Sequence, residues 1–229
     1  MKILYISAGT GENPWIMDAA STCRDNGRNA FAFQATSELL DSEEKEFTRI
    51  LNELQDTHLL LIDNHGSATY FKKFDRLIAK ANDLHIPTFV CSSVPDEMKD
   101  FRNLFPFSTE EYEFVHSCLE LSGLENTTAL ILWACKTIGE EDIDIPPLRY
   151  PPTEGFYHPS LPDIYDFVSH EKRLVKEKPT IGILLHQFYY IRKNLLPIDA
   201  QVRHQHDMRP FRRGEQHVYP ALARVVDGV

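Results

Sequence analysis

The hydrophobic positions in the first 93 residues alternate between two spacings. Short apolar runs predict four strands, at 2–7, 29–34, 57–63 and 86–93. Between the runs, apolar residues recur at helical spacing, as in Ile16, Ala19 and Cys23, and a further helix is predicted from about Ala68 to Leu84. This order predicts a parallel sheet with right-handed crossovers and helices on both faces. The predicted fold class is therefore α/β, a flavodoxin-like doubly wound parallel sheet.

The pattern changes after residue 93. Three successive helices are predicted there with no strand between them, so 1–138 is assigned to one flavodoxin-like α/β domain with a helical extension. Residues 139–162 hold six prolines, which favour extended backbone and forbid helix, and are predicted to be a linker. A short helix and the apolar run TIGILLH at 180–186 then predict the start of a second α/β unit within 163–200.

The last 29 residues differ from the rest in composition. They contain no Lys, five Arg and three His, and they show little apolar periodicity. We interpret 201–229 as an atypical tail, out of frame with the preceding chain, and the second domain as truncated. No complete second unit would then cover the strand at 180–186. That strand is expected to join the first sheet, to pack against the helix at 162–175, or to pair with another copy in a homodimer.

Composition and charge exclude several classes of function. The formal net charge of −10 argues against a nucleic-acid face, because phosphate contacts need clustered Lys and Arg. No apolar run approaches the 18 residues of a membrane span, and the chain enters a strand directly without a signal peptide, which indicates a cytoplasmic protein. The four cysteines are irregularly spaced, as is typical of buried apolar positions rather than a metal site.

Ligands of doubly wound sheets bind at the carboxyl ends of the strands, and three loops there carry candidate residues. Gly9, Thr10 and Gly11 precede a helix N-terminus and form a candidate anion-binding loop, although a plain turn that needs positive φ is the favoured explanation of the glycines. The other candidates are histidines in or after strands and in the linker: His65, His186 and His158. Each can bind a ligand, or form a local hydrogen bond or packing contact. They lack metal-ligand spacing, and no nucleophile has a recognisable base, so these residues alone define no reaction.

Several segments together resemble one protein family. The stretch LLLIDNHGSATYFKKFDRLIAKANDLHIPTFVCSS is similar to a strand, His-Gly loop, helix and strand of the CobN and magnesium-chelatase large-subunit family. The segments LELSGLENTTALILWACKTI and PPTEGFYHPSLPDIYDF resemble its Gly-x-Glu-Asn helix and its Pro-rich bridge. The segment PTIGILLHQFYYIRKNLLPIDA resembles its strand, Asn and Pro-x-Asp-Ala helix start. The resemblance covers residues 1–200, the N-terminal region of the family.

The resemblance implies a cobaltochelatase large subunit, which inserts cobalt or magnesium into a tetrapyrrole with two AAA-type ATPase subunits. It makes His65, His158, His186 and Asn194 candidate substrate-binding residues, and it leaves the catalytic and metal-binding residues unknown. No tightly bound cofactor is implied: the metal is a substrate, and ATP acts through the partner subunits. A chain of 229 residues is too short to enclose the macrocycle, so it is expected to be inactive alone.

Two other functions remain open. One is a free-standing flavodoxin-like module that holds a flavin or phosphate at SAGTGEN, where Thr10 and Gly11 resemble part of the flavodoxin turn. The other is an interaction remnant with no ligand, whose helices at 108–138 serve as an interface. A yellow purified protein would favour the first of these two.

Overall fold

The structure is a computed structural model. It describes residues 1–9, 12–152, 154–159, 181–191, 195–207 and 221–226, with 161, 164, 166, 168, 169 and 172. The chain forms two compact units, Met1–Arg149 and Tyr150–Val229.

The first unit is built on a four-stranded parallel sheet. Its strands are β1 (Lys2–Ala8), β2 (Phe31–Thr36), β3 (Leu59–Asn64) and β4 (Thr88–Ser92), in the order β2-β1-β3-β4. All three strand pairs are parallel. The prediction of a doubly wound parallel sheet followed by helices is confirmed, with strand bounds shifted by about two residues, as is common for element ends.

Seven helices accompany this sheet in the described residues. They are α1 (Ile16–Asp25), α2 (Ser37–Ser42), α3 (Glu44–Glu53), α4 (Phe74–Asp83), α5 (Pro95–Phe101), α6 (Thr109–Leu121) and α7 (Gly123–Thr137). Two of them, α6 and α7, follow the sheet directly, as expected for the helical extension.

One predicted helix is divided. The pattern predicted a single helix over 68–84, but the structure has a 3-10 turn at Ala68–Tyr70 and starts α4 at Phe74. The Asp41 carboxylate accepts hydrogen bonds from the backbone N–H groups of Lys72 and Lys73 at 3.0 and 3.1 Å. Asp41, which lies 31 residues before Lys72 in the chain, therefore caps the start of α4. No sequence pattern near α4 predicts this contact.

The sheet is covered on both faces, as the nearly continuous apolar strands require. On one face, Ile3 and Tyr5 pack with α1 and α7 in a cluster that includes Phe105 and Trp133. On the other, residues such as Ile62 pack with α3 and α4. Thus successive residues of each strand enter opposite halves of the core.

The end of the first unit is held by one buried amide. The Asn126 side chain, 3% exposed, donates from Nδ2 to the Arg149 carbonyl at 2.7 Å, and its Oδ1 accepts from the Arg149 N–H at 2.7 Å. Nδ2 also donates to the Ser122 carbonyl at 2.8 Å. Asn126 therefore fixes the return of the chain after α7, which explains the Asn in the Gly-x-Glu-Asn segment.

The second unit contains a three-stranded mixed sheet. Its strands are β5 (Glu154–Tyr157), β6 (Ile181–His186) and β7 (Ala221–Val226), in the order β5-β7-β6. β7 pairs parallel with β6 and antiparallel with β5. Its described helices are α8 (Gln187–Ile191) and α9 (Leu196–Asp207).

Two expectations for this region differ from the structure. Residues 154–157 lie in the predicted linker but form β5, since no proline interrupts them. Residues 221–226 belong to the segment interpreted as an atypical tail, yet they form the central strand of this sheet. The helix expected at 162–175 lies largely outside the described residues.

Among the side chains that the structure describes, those of the second unit pack around two buried residues. Tyr157 and Leu185 are buried, with Ile183, Tyr190 and Ile198 packed around them. The Tyr157 hydroxyl donates to Asp199 Oδ1 at 2.6 Å, linking β5 to α9. None of the helices described is both long and apolar enough to span a bilayer.

Replacement of the Asn126 amide tests its role. We expect Asn126→Ala to lower the free energy of unfolding by about 2 kcal/mol, because buried groups lose their partners. Thr128→Ala is the control, since Thr128 Oγ1 only bonds back to the Leu124 carbonyl and its loss should cost less than about 1 kcal/mol. Urea denaturation measures both values. Equal losses of unfolding free energy in the two variants would show that the Asn126 side chain does not hold the chain at Arg149.

Candidate functional site at the carboxyl edge of the first sheet

The structure brings two of the predicted site residues together. Gly9 follows β1, and His65 follows β3, the neighbouring strand. The His65 N–H donates to the Ala8 carbonyl at 2.8 Å, which extends the β1–β3 pairing into the loops. This is the point where strand order reverses, the usual ligand position of such sheets. Thr10 and Gly11 lie outside the described residues.

Gly9 is required by both conformation and space. Its φ of +81° is unfavourable for other residues, and a Cβ there would lie 3.0 Å from the His65 carbonyl oxygen. Its N–H donates to Glu38 Oε1 at 3.3 Å. The chain's own carboxylate therefore takes the position that a phosphate would need at this amide.

His65 and Tyr70 form the exposed part of the β3 loop. The side chain of His65 is exposed, and the ring of Tyr70, 76% exposed, lies against Gly66. A Cβ at Gly66, whose φ is +123°, would be 3.1 Å from two ring carbons. Asn64 Nδ2 donates to the Gly66 carbonyl at 3.0 Å and shapes the turn. The loop thus presents an imidazole and an aromatic ring to solvent.

A carboxylate network joins the β3 and β4 loops. Glu97 of α5 accepts from Ser67 Oγ at 2.5 Å, from the Ala68 N–H at 2.9 Å and from Ser92 Oγ at 2.8 Å. The hydrogen bond from Ser67, followed by those of Ala68 and Ser92, lowers the pKa of Glu97 although partial burial opposes this. Glu97 therefore stays ionised and holds the turn that carries Tyr70.

A second polar group lies beneath this edge, between β1, β3 and β4. The Tyr5 hydroxyl donates to Asp63 Oδ2 at 2.5 Å. Burial, and then the nearby Asp63 carboxylate, raise the pKa of the Cys91 thiol to about 12. The thiol is therefore protonated at neutral pH and is a poor nucleophile. This group serves packing rather than covalent catalysis.

The edge also carries a row of exposed apolar side chains. Met17, Leu39, Tyr70 and Val94 each lie in the segment that follows a different strand of the first sheet, and they are 47, 41, 76 and 36% exposed. We refer to these four residues as the carboxyl-edge rim. Exposed apolar residues are ordinary when scattered, but their grouping at one edge is typical of a contact surface.

The other predicted site residues belong to the second unit and do not converge. The strand register places Tyr157 level with Ile183, and Glu154 level with His186. His158 is therefore at the end of the sheet where β6 begins, and His186 at the other end, about 10 Å or more away along the strands. Asn194 lies outside the described residues.

The described residues contain no group of three or more His, Cys, Asp or Glu able to hold a metal ion. Sequence reasoning missed Glu38, Glu97 and Tyr70. The two carboxylates act on backbone groups about 30 residues away, which no local spacing reveals. Tyr70 falls within the predicted helix, where an aromatic residue indicates core.

Comparisons with known proteins agree with this α/β architecture. Residues 116–211 match the model of the CobN/Magnesium Chelatase family. The solved structure of the catalytic subunit of cobaltochelatase from Mycobacterium tuberculosis is similar over 99% of this chain, with a TM-score of 0.54 and 17% sequence identity. This chain covers 16% of that subunit. No curated protein matches.

These matches confirm the resemblance inferred from the sequence. The chain is an α/β protein, and its residues 116–211, from α6 to beyond α9, are the part that matches the CobN/Magnesium Chelatase model. The family match continues eleven residues past Ala200, so it includes the beginning of the segment interpreted as an atypical tail.

The energetic effect of the close approach between Gly9 and His65 can be measured by comparing Ala substitutions at Gly9 and at a matched glycine. Gly27 has nearly the same φ, +78°, but a Cβ there meets nothing within 4 Å. Each substitution by Ala should cost about 1 kcal/mol for the left-handed backbone. We expect Gly9→Ala to cost about 1 kcal/mol more, because the loops must separate. Thermal or urea unfolding measures the difference, and equal losses would contradict the close approach.

The Glu97 network predicts a pH-dependent contribution to stability. A lowered folded pKa stabilises the protein above the unfolded value of about 4.3, and this contribution disappears as the pH falls through the folded pKa. We expect Glu97→Gln to cost about 1 kcal/mol at pH 7 and progressively less below about pH 4.

The control for Glu97 is Asp96→Asn in the same helix, because the Asp96 side chain is 91% exposed and forms an ion pair with Lys99, one turn away in that helix. Urea unfolding at several pH values compares the two variants. A Glu97→Gln effect independent of pH would show that the charge of Glu97 is not what holds the loops.

Proposed function

We propose that this chain is an N-terminal part, or a short paralogue, of an ATP-dependent cobaltochelatase large subunit in cobalamin biosynthesis. It acts in the cytoplasm with other chelatase components and is inactive alone. The observation that carries this proposal is the agreement of the 116–211 family match with a fold similarity running through the whole chain.

Two features of the described residues support an assignment of roles among this chain and the other chelatase components. They provide no metal cluster, and the thiol at the candidate edge is protonated. In the proposal, cobalt or magnesium and the tetrapyrrole are substrates bound mainly by other parts of the chelatase. ATP is hydrolysed by AAA-type partner subunits. This chain contributes a stable recognition unit.

The carboxyl-edge rim is the proposed contact of the first unit with those components. Two of its members stand in segments joined by hydrogen bonds between carboxylates and backbone N–H groups: Leu39 lies between Glu38 and Asp41, which accept from the Gly9 and Lys72 N–H groups, and Tyr70 follows Ala68, whose N–H donates to Glu97. A rim fixed in this way loses little conformational freedom on binding, which favours affinity. Exposed carboxylates at Asp18 and Asp96 flank the apolar residues and would favour a partner surface with positive charge.

The proposal is tested by competition in a chelation assay. A complete cobaltochelatase, with catalytic and ATPase subunits, is supplied with cobalt, ATP and its tetrapyrrole, and metal insertion is followed by absorbance. We expect this chain alone to insert no metal and, when added in excess, to slow the complete enzyme by occupying the contact of the catalytic subunit. The chain with Tyr70→Ser should inhibit the complete enzyme about tenfold less strongly, which corresponds to the loss of a contact worth about 1.4 kcal/mol.

Phe31→Ser is the control, because Phe31 is 45% exposed at the amino edge of the same sheet. It should inhibit like the unaltered chain. Metal insertion by this chain alone would contradict the assigned division of labour. Absence of inhibition, or equal weakening by both substitutions, would contradict a chelatase contact through the carboxyl-edge rim.

A further inference from the structure

A cleft of about 330 Å³ lies between α5 and α6 in the first unit. Thr109, Tyr112 and His116 line it from one face of α6, where they recur at helical spacing, and Met98 lines it from α5. No residue of the carboxyl-edge rim takes part in this lining. Small-molecule sites range from about 300 to 1,000 Å³, so the cleft fits a ligand of one or two rings.

The apolar wall of the cleft is anchored on strand β4. The Tyr112 ring packs on Phe89 with 4.9 Å between the ring centroids. Met98 Sδ accepts hydrogen bonds from the Ser92 N–H at 3.0 Å and from the Tyr112 hydroxyl at 3.9 Å. A thioether and an aromatic ring are both favourable neighbours of another aromatic ring. This wall is therefore suited to an aromatic ligand and is formed before the ligand arrives.

Arg102 supplies a positively charged group to the same cleft. Its guanidinium donates to the Phe105 and Phe107 carbonyls at 2.6 and 2.8 Å, and its Cζ lies 4.9 Å from the centroid of the Tyr112 ring. These partners are neutral, and the two hydrogen bonds use two of the five N–H donors of the guanidinium. A guanidinium held in this way retains its charge and can donate to a carboxylate.

Charge selects the sign of the ligand. Residues 1–149 carry 13 Lys and Arg against 25 Asp and Glu, but the cleft is lined by Lys99 and Arg102 against Glu113 alone. Lys99 pairs with Asp96 at 3.1 Å, and the two side chains are 78 and 91% exposed. Such a surface pair contributes little, so the Lys99 ammonium can turn toward a ligand at small cost. The cleft therefore favours an anion within an acidic unit.

We propose that this cleft binds a small aromatic carboxylate. Its one or two rings pack against Met98 and Tyr112, and its carboxylate faces Arg102 and Lys99. The site is separate from the proposed chelatase contact, because the two share no residue.

Calorimetric titration of the full chain with naphthalene-2-carboxylate tests the assignment. We expect saturable binding of one ligand per chain. Lys99→Met should raise the Kd at least about threefold, and Glu113→Gln should lower it by a similar factor, because the first removes an attractive charge and the second a repulsive one. Both side chains are exposed, so folding should be unaffected, which circular dichroism checks.

Three controls separate the cleft from other surfaces. Naphthalene-2-carboxamide has the same rings without the charge and should bind at least about threefold more weakly. Lys45→Met changes an exposed lysine of α3 and should leave the Kd unaltered, whereas Thr109→Trp should abolish binding by filling the cleft. No binding of the carboxylate, equal binding of the carboxamide, a Kd that Lys99→Met and Glu113→Gln leave unchanged, or binding that survives Thr109→Trp would each overturn the proposal.

Discussion

Both faces of a parallel sheet must be buried, and the rest of this structure depends on that constraint. In the first unit the strands are apolar on both sides, and helices bury each face in a separate cluster. The helices of the helical extension help to bury the sheet, because α7 completes the cluster on the α1 side. Asn126 of that helix then holds the backbone of Arg149, at the end of the first unit.

The same constraint accounts for the character of the candidate site. The strands are committed to the core, and the candidate residues therefore lie in the loops at their carboxyl ends. In these loops the Glu38, Asp41 and Glu97 carboxylates accept hydrogen bonds from the backbone N–H groups of Gly9, Lys72 and Ala68. These three amides are thus occupied by the chain's own carboxylates. The same edge presents apolar side chains and an imidazole to solvent.

The features that sequence alone predicted are those with a local signature. Apolar runs such as LLLID predicted the strands, and the predicted parallel order put the loops of Gly9 and His65 at the carboxyl ends of strands. What escaped prediction depends on contacts distant in sequence. Asp41 divides the helix predicted at 68–84, Glu97 reaches back 29 residues to Ala68, and β7 pairs with strands that precede it by at least 35 residues.

The central claim is that the first sheet is covered on both faces by its own helices. Hydrogen exchange of the full chain, measured by mass spectrometry, tests this most directly. The account predicts that amides of β1 and β3, whose side chains lie in both clusters, exchange only by global unfolding. Exchange of these amides through local opening, at rates independent of the free energy of global unfolding, would contradict it, because one face of the sheet would then be open.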